Sequence, residues 1–504
     1  MRKTVFLALV GLVLSHAVVA QERYEANWES LKKYEVPEWF RDIKFGIFIH
    51  WGPYAVPAFE NEWYGHNMYR EFKTDKKGNV VRNSSKVYKH HKKKYGDPGK
   101  FGYKDFIPDF NGKNFNAAAW MDLFEEAGAK YVVPVGEHCD GFAMYNSKHT
   151  RWNAVNMGPK RDIVGELFAE ARKRGIKTGV SSHFAYGWNW WHYKKGYDTT
   201  DPKYSDFYGT PHDANDPSTP EYMDTWYYRA MDMVDTYDPD LLWFDFGICK
   251  PEWQNHLKKL TAAYYNKAID NGKEVVLNYK NISYRPIPDG AAVLDVESGK
   301  LDRIRELPWQ TDMSMGQSRW GWTVPWATTP PNELIIDLVD VVSKNGCLLL
   351  NVAPDAGGNI SDDQVACLKE IGAWLKVNGE GIYKTRPFTV FGQGPTNASM
   401  VLHGNLKGQN DFKTGDIRYT QKGQNIYAFL LKWPENQTIR LKAFDPEMHI
   451  VQEKVTAVEI MGHKKPLKYR ISEEGLIIEL PKQNPVKHVA GIKIVLEQAP
   501  SDIF

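Results

Sequence analysis

The chain has 504 residues, a formal net charge of +2 and 13% aromatic residues, with 18 Trp and 27 Tyr. That length exceeds one ordinary domain and predicts one large unit plus a smaller one. The near-neutral charge gives no electrostatic reason for a nucleic-acid or acidic partner.

Arg2 and Lys3 precede an apolar run over 5–14, and Ala17-Val18-Val19-Ala20 closes it before Gln21. A positive start, a short apolar core and small residues at the end predict a secretory signal peptide over 1–20. The run is short for a bilayer, no later stretch reads as a membrane span, and no Cys follows Ala20 to carry a lipid. The expected product is exported, periplasmic or secreted. Its four cysteines, Cys139, Cys249, Cys347 and Cys367, are too few and too far apart for a disulfide scaffold or a zinc motif. Buried free thiols are favoured over a single disulfide.

Short apolar runs at 45–51, 131–137, 177–183, 241–245, 275–279, 293–297, 309–313 and 347–352 read as strands, the seventh being the weakest. Amphipathic stretches at 116–127, 163–174, 222–237, 253–270 and 333–343 alternate with them. Eight strands with intervening helices predict an α/β fold, a (β/α)8-like barrel over 21–385. One basic stretch, 86–94, contains Lys89-His90-His91-Lys92-Lys93-Lys94 and reads as a solvated loop rather than a patch for acidic glycans. A helix is expected at 362–378. After Arg386-Pro387 the pattern changes to short alternating runs at 399–402, 417–420, 426–431, 438–441, 455–460, 476–480 and 491–496. These predict a C-terminal antiparallel β-sandwich over 386–504, steadying the barrel rather than binding sugar.

In such barrels chemistry sits at the C-terminal ends of the strands. Those ends carry His50-Trp51, Glu137-His138, His183, Asp245, Lys280 and Glu297. Asp245 follows the compact apolar run Leu241-Leu242-Trp243-Phe244, and a carboxylate there is costly to bury unless partnered or kept for chemistry. Glycoside hydrolysis uses two carboxyl groups flanking the scissile bond. Asp245 and Glu297 form one such pair, with Asp295, Asp140 and Glu137 as competitors. No phosphate-binding Gly-rich loop or metal constellation stands out, so no cofactor and no metal are expected.

Several motifs occur in order: Phe45-Gly46-Ile47-Phe48-Ile49-His50-Trp51-Gly52, Glu62-Trp63-Tyr64, His138-Cys139-Asp140-Gly141-Phe142 and Leu242-Trp243-Phe244-Asp245. Asn278-Tyr279-Lys280, Asp295-Val296-Glu297-Ser298-Gly299, Pro308-Trp309-Gln310-Thr311-Asp312 and the stretch from Ser343 to Asn351 follow. Together they resemble the α-L-fucosidases of glycoside hydrolase family 29 across nearly the whole barrel. The resemblance implies a retaining exo-α-L-fucosidase with Asp245 as nucleophile and Glu297 as acid/base. It also implies His50 and His138 on sugar hydroxyls, and Trp63 and Tyr64 as pocket wall. His183 and Lys280 join the substrate-binding set from the strand ends, and Trp320 and Trp322 are candidates for stacking on sugar.

The chain departs from the family pattern at three places. Cys139 stands where many members have a second histidine, Ser181-Ser182-His183 where many have aromatic residues, and Lys280 where Arg is common. Lysine offers a point charge in place of a planar fork. These changes bear on the sugar rather than the reaction. L-Galactose, which is fucose with a hydroxyl at C6, makes an α-L-galactosidase acting on algal galactans the first alternative. An inactive carbohydrate-binding protein is the second, and it has no need of a retained acid/base pair. Partners are therefore oligosaccharide or polysaccharide substrates, and the oligomeric state is left open.

Overall fold

The computed structural model describes residues 22–500 apart from 214, 281–285, 318, 397–410 and 464. The expected signal peptide and the expected strand at 399–402 lie outside the described residues. Eight parallel strands close a barrel: β1 (Phe45–Ile49), β2 (Tyr131–Glu137), β3 (Lys177–Ser182), β4 (Leu241–Phe244), β5 (Val276–Lys280), β6 (Val293–Asp295), β7 (Trp309–Ser314) and β8 (Gly346–Val352). Each pairs with its chain neighbour, and β1 closes the ring by pairing with β8, Phe45 opposite Leu348 and Ile49 opposite Val352. The strands are buried on both faces, which is why they read as continuous apolar runs rather than alternating ones. The seventh strand is present, one residue longer than expected.

The outer helices are α1 (Lys86–Lys94), α2 (Ala117–Glu126), α3 (Ile163–Lys173), α4 (Pro220–Tyr237), α5 (Gln254–Asp270), α6 (Pro331–Ser343) and α7 (Asp362–Asn378). Side-chain caps start several of them: Asn116, Asp162 and Thr219 accept backbone N–H groups of α2, α3 and α4. Helix α1 corrects the loop expected at 86–94. Ser85 caps it by accepting Tyr88 N at 2.9 Å, and Val87, Tyr88 and His91, at helical spacing, are buried beneath the exposed lysines. The basic residues had masked that periodicity.

The C-terminal part forms two antiparallel sheets. One has the order β9 (Arg386–Gln393), β10 (Ile417–Lys422), β11 (Asn425–Leu430), β16 (Ala490–Leu496) and β13 (Val455–Ile460). The other has the order β12 (Thr438–Leu441), β15 (Gly475–Glu479) and β14 (Tyr469–Ser472). Phe388, Tyr419, Ile426, Leu476, Ile478 and Ile492 fill a core of their own between the sheets. Helices α6 and α7 join this unit to the barrel: Trp374 Nε1 donates to Val489 O at 2.7 Å, and Arg418 pairs with Asp340 at 2.5 Å. All four cysteines are free thiols, with Cys139, Cys347 and Cys367 buried.

Candidate active site

Asp245 lies one residue beyond β4, where the backbone leaves the sheet and turns through Phe246–Ile248. Gly247 is needed there: a Cβ would come 2.3 Å from Tyr186 N, so only glycine lets this turn approach the loop after β3. Asp245 is 5% exposed and has two charged or chargeable neighbours. Lys280 Nζ, at the end of β5, stands 3.2 Å from Oδ1, and His183 Nδ1, beyond β3, stands 3.3 Å from Oδ2. Burial alone would raise the Asp245 carboxyl, but Lys280 and His183 together hold it far below the usual carboxylate range. It is therefore held in its anionic form.

Glu297 lies in the turn after β6, two residues past the strand end, because β6 stops at Asp295 rather than at 297 as expected. Its side chain is 22% exposed, and its Oε2 accepts from Lys280 Nζ at 2.6 Å. Lys280 therefore touches both carboxylates, and Asp312 Oδ2 of β7 lies 3.2 Å away as well. Burial opposes this ammonium, yet Asp245, Asp312 and Glu297 raise it well above an ordinary lysine. Two oxygens that share one nitrogen at 3.2 and 2.6 Å are closer together than the ~6.5–9.5 Å separation of inverting glycosidases.

The competing carboxylates have other duties. Glu137 is fully buried and paired with Arg229 Nε at 2.7 Å and with the Ser182 hydroxyl at 2.7 Å. Asp140 accepts from the Tyr103 hydroxyl at 2.6 Å and from Phe142 N at 2.9 Å. Asp295 points into the barrel, where Trp243 Nε1 donates to it at 2.8 Å and Gln310 adds a second bond. Each of these three is a satisfied structural acid.

Three imidazoles, His50, His138 and His183, converge beside Asp245, with ring centroids 5.1–6.1 Å apart. Burial, then the neighbouring His183, push His50 and His138 well below the usual histidine range, so both are neutral. The tautomer of His50 follows from Asn351, whose amide donates to Trp320 O at 2.8 Å and so turns its oxygen toward His50. Nδ1–H of His50 donates to that oxygen at 2.7 Å, leaving Nε2 as the ring's acceptor. Nδ1 of His138 is buried without a hydrogen-bond partner among the described residues.

Trp320 packs on His50 at 5.1 Å and lies 5.2 Å from Lys280 Nζ. Trp63 lies parallel to Phe246, next to Asp245, at 6.3 Å, and against Tyr186 and Trp190. The structure therefore gathers Asp245, Glu297, His50, His138, His183, Lys280, Trp63 and Trp320.

Two predicted residues are not in that group. Tyr64 corrects the pocket-wall expectation: it is fully buried, packs on Phe106, and donates its hydroxyl to His91 Nδ1 at 3.2 Å. The one-turn helix Tyr64–Asn67 rotates it about 100° from Trp63, toward the core rather than the site. Trp322 stacks instead on Trp326 at 5.4 Å.

Glu62 is not among the residues expected at the site, yet it lies beside it. Its Oε2 accepts Trp320 N at 3.1 Å and Gly321 N at 3.2 Å, so one buried carboxylate holds the loop that presents Trp320. Its place beside Trp63 in the Glu-Trp-Tyr motif was the available signal.

Among the described residues, the nitrogens of His50, His138 and His183 lie within 4.8 Å of one another, as do ligand atoms of Cys139, His183 and Asp245. Such sets have the donors of a transition-metal site. Two features weigh against a cation: the Lys280 ammonium stands 3.2 Å from Asp245, and burial pushes the Cys139 thiol well above its ordinary value, away from the thiolate that metals bind. Neutral imidazoles beside an anion suit sugar hydroxyls.

A closed parallel barrel with a buried carboxylate and a second carboxylate at its C-terminal mouth has the architecture of a glycoside hydrolase. Residues 11–380 match the family described as alpha-L-fucosidase, and residues 409–497 match the alpha-L-fucosidase C-terminal domain. Tissue alpha-L-fucosidase of Homo sapiens is 30% identical over 480 residues, covering 92% of this chain and 89% of the relative. Plasma alpha-L-fucosidase of Homo sapiens is 30% identical over 469 residues, covering 91% and 89%. The crystal structure of Thermotoga maritima alpha-fucosidase in complex with a mechanism based inhibitor is 29% identical, with a TM-score of 0.74 over 94% of this chain and 100% of that one. The chain belongs to the α-L-fucosidase family, glycoside hydrolase family 29.

Proposed function

We propose that the protein is an exported, retaining exo-α-L-fucosidase that hydrolyses terminal α-L-fucosyl residues of glycans through a covalent glycosyl-enzyme. The observation that carries the retaining assignment is the shared contact of Asp245 and Glu297 with Lys280 Nζ, at 3.2 and 2.6 Å. It brings the two carboxylates together at one ammonium, in keeping with the ~5–5.5 Å separation of retaining sites. Asp245, held anionic, attacks the anomeric carbon; Glu297 gives a proton to the leaving oxygen and later takes one from water. His50, His138 and His183 offer acceptors and donors to the hydroxyls of one sugar, and their burial with Asp245 suits a terminal residue rather than an internal one. Export rests on the N-terminal pattern of Arg2-Lys3, the apolar run and the small residues before Gln21.

The test is hydrolysis of 4-nitrophenyl α-L-fucoside beside the matching α-L-galactoside, with Asp245→Asn as control and the product anomer read by proton NMR. Fucoside cleavage with first-formed α-product, lost in the variant, is the expected result. Faster galactoside cleavage overturns the sugar assignment and leaves the reaction standing. First-formed β-product overturns the retaining assignment.

A further inference from the structure

We infer that Lys300 and Asp337 are positioning residues for Glu297, and that through them the C-terminal sandwich braces the acid/base. This rests on the reading of Glu297 as the acid/base.

Glu297 sits on a turn rather than a strand, so its position depends on what holds that turn. Ser298 has φ 44°, a left-handed conformation that a non-glycine residue keeps only where its surroundings impose it. On the barrel side β7 supplies the hold. Ser298 N donates to Asp312 O at 2.8 Å, the Thr311 hydroxyl donates to Val296 O at 2.7 Å, and Gly299 N donates to Thr311 Oγ1 at 3.3 Å.

On the outer side the hold is ionic. Lys300, three residues past Glu297, is 4% exposed, and its Nζ lies 2.5 Å from Asp337 Oδ1 of α6. Asp337 is also 4% exposed. Three residues along the same helix, hence on the same face, Asp340 takes Arg418 of β10 at 2.5 Å and Lys344 at 2.7 Å. Phe412, at the start of the chain leading into β10, lies under Lys300 at 5.7 Å and under Arg418 at 5.2 Å. A buried row of charges thus runs from the acid/base turn across α6 into the sandwich.

Such a pair adds little net stability over apolar groups of the same size, but its charges must meet in one geometry. Here that geometry places the turn. Proton transfer to a leaving oxygen tolerates little misplacement, and an error near 1 Å costs about a hundredfold. The sandwich reaches the chemistry this way.

The experiment compares kcat/KM for two substrates. 2-Chloro-4-nitrophenyl α-L-fucoside has a leaving group that departs without a proton; the phenyl α-L-fucoside needs one. The matching α-L-galactosides replace them if those prove the faster substrates. Glu297→Gln sets the reference, with a fall of about a hundredfold or more on the phenyl substrate and far less on the other.

Lys300→Met and Asp337→Asn are expected to lose about ten- to a hundredfold on the phenyl substrate and less than about threefold on the activated one. Lys300→Arg and Asp337→Glu are expected to recover part of that loss. The double variant Lys300→Met/Asp337→Met removes both charges of this pair together and should show the same selective loss, so the test survives if a single variant does not fold. Equal losses on both substrates, or none, overturn the inference. If Glu297→Gln shows no dependence on the leaving group, the acid/base assignment falls and this inference with it. If Glu297→Gln shows that dependence and the Lys300 and Asp337 variants do not, only the inference falls.

Discussion

Lys280 Nζ donates to Glu297 Oε2 at 2.6 Å while standing 3.2 Å from Asp245 Oδ1. One ammonium thus bridges the two carboxylates proposed as nucleophile and acid/base. Its contact with Asp245 helps to hold that carboxyl far below the usual carboxylate range.

The first expectation concerns pH. Asp245 lies far below the usual carboxylate range because Lys280 and His183 outweigh its burial. Removing the lysine leaves burial in place and takes away the larger of the two attractions. The carboxyl must then rise, and less of it is anionic at any acidic pH. Lys280→Met should lower kcat/KM by about 10²–10³ and move the acid limb of its pH profile upward. An acid limb in the same place would show that Lys280 does not set the charge on Asp245.

Stability should also fall in mild acid. His50 and His138 are held well below the usual histidine range, His66 and His91 at about 4 and His192 at about 3, burial being the main cause in each. In the unfolded chain each takes up a proton near pH 6.5. Where the unfolded state binds more protons, stability rises with pH, so it is full above about pH 6.5 and is lost as pH falls from there toward 4. The unfolding temperature should drop across that window. His192→Gln, away from the catalytic carboxylates, should flatten the slope; an unchanged slope would count against the buried neutral imidazoles.

Glu62 gives a third expectation. Its one oxygen holds two backbone N–H groups of the Trp320 loop. Glu62→Ala leaves both unpaired at a cost of about 1–3 kcal/mol each where they stay buried. It should lower the unfolding temperature and raise KM as Trp320 loosens. Glu62→Gln, which keeps an acceptor, should do much less to stability. Equal melting of the two variants would refute this account of the loop.

The sequence carried the barrel because its strands are buried on both faces and appear as unbroken apolar runs. It carried Asp245 for the same reason, as an acid where such a run ends. It did not separate Glu297 from Asp295 without the family resemblance. Two acids two residues apart fall on one face of an extended strand, and only the end of β6 at Asp295 puts one in the barrel interior and the other in a turn. The basic helix α1 is hard to read from sequence because lysines at consecutive positions hide a buried stripe of Val87, Tyr88 and His91. Partners distant in sequence were equally invisible: Glu137 with Arg229, Asp140 with Tyr103, and Lys300 with Asp337.

Trp63 and Tyr64 are neighbours in one motif and should part company when changed. Trp63 faces Phe246 and Tyr186 beside Asp245, whereas Tyr64 is fully buried against Phe106 and gives its hydroxyl to His91. Tyr64→Phe keeps the ring and removes one buried hydrogen bond, a loss of about 1 kcal/mol that leaves His91 Nδ1 unpaired. Its unfolding temperature should fall by about one degree while kcat/KM stays within about twofold of the parent. Trp63→Ala removes a ring from the pocket side and should lower kcat/KM by about tenfold or more, chiefly through KM if the ring serves to bind sugar. Steady-state kinetics and thermal melts of the two variants decide the matter. A Tyr64→Phe enzyme with a tenfold kinetic defect and an unchanged melt would return Tyr64 to the pocket wall.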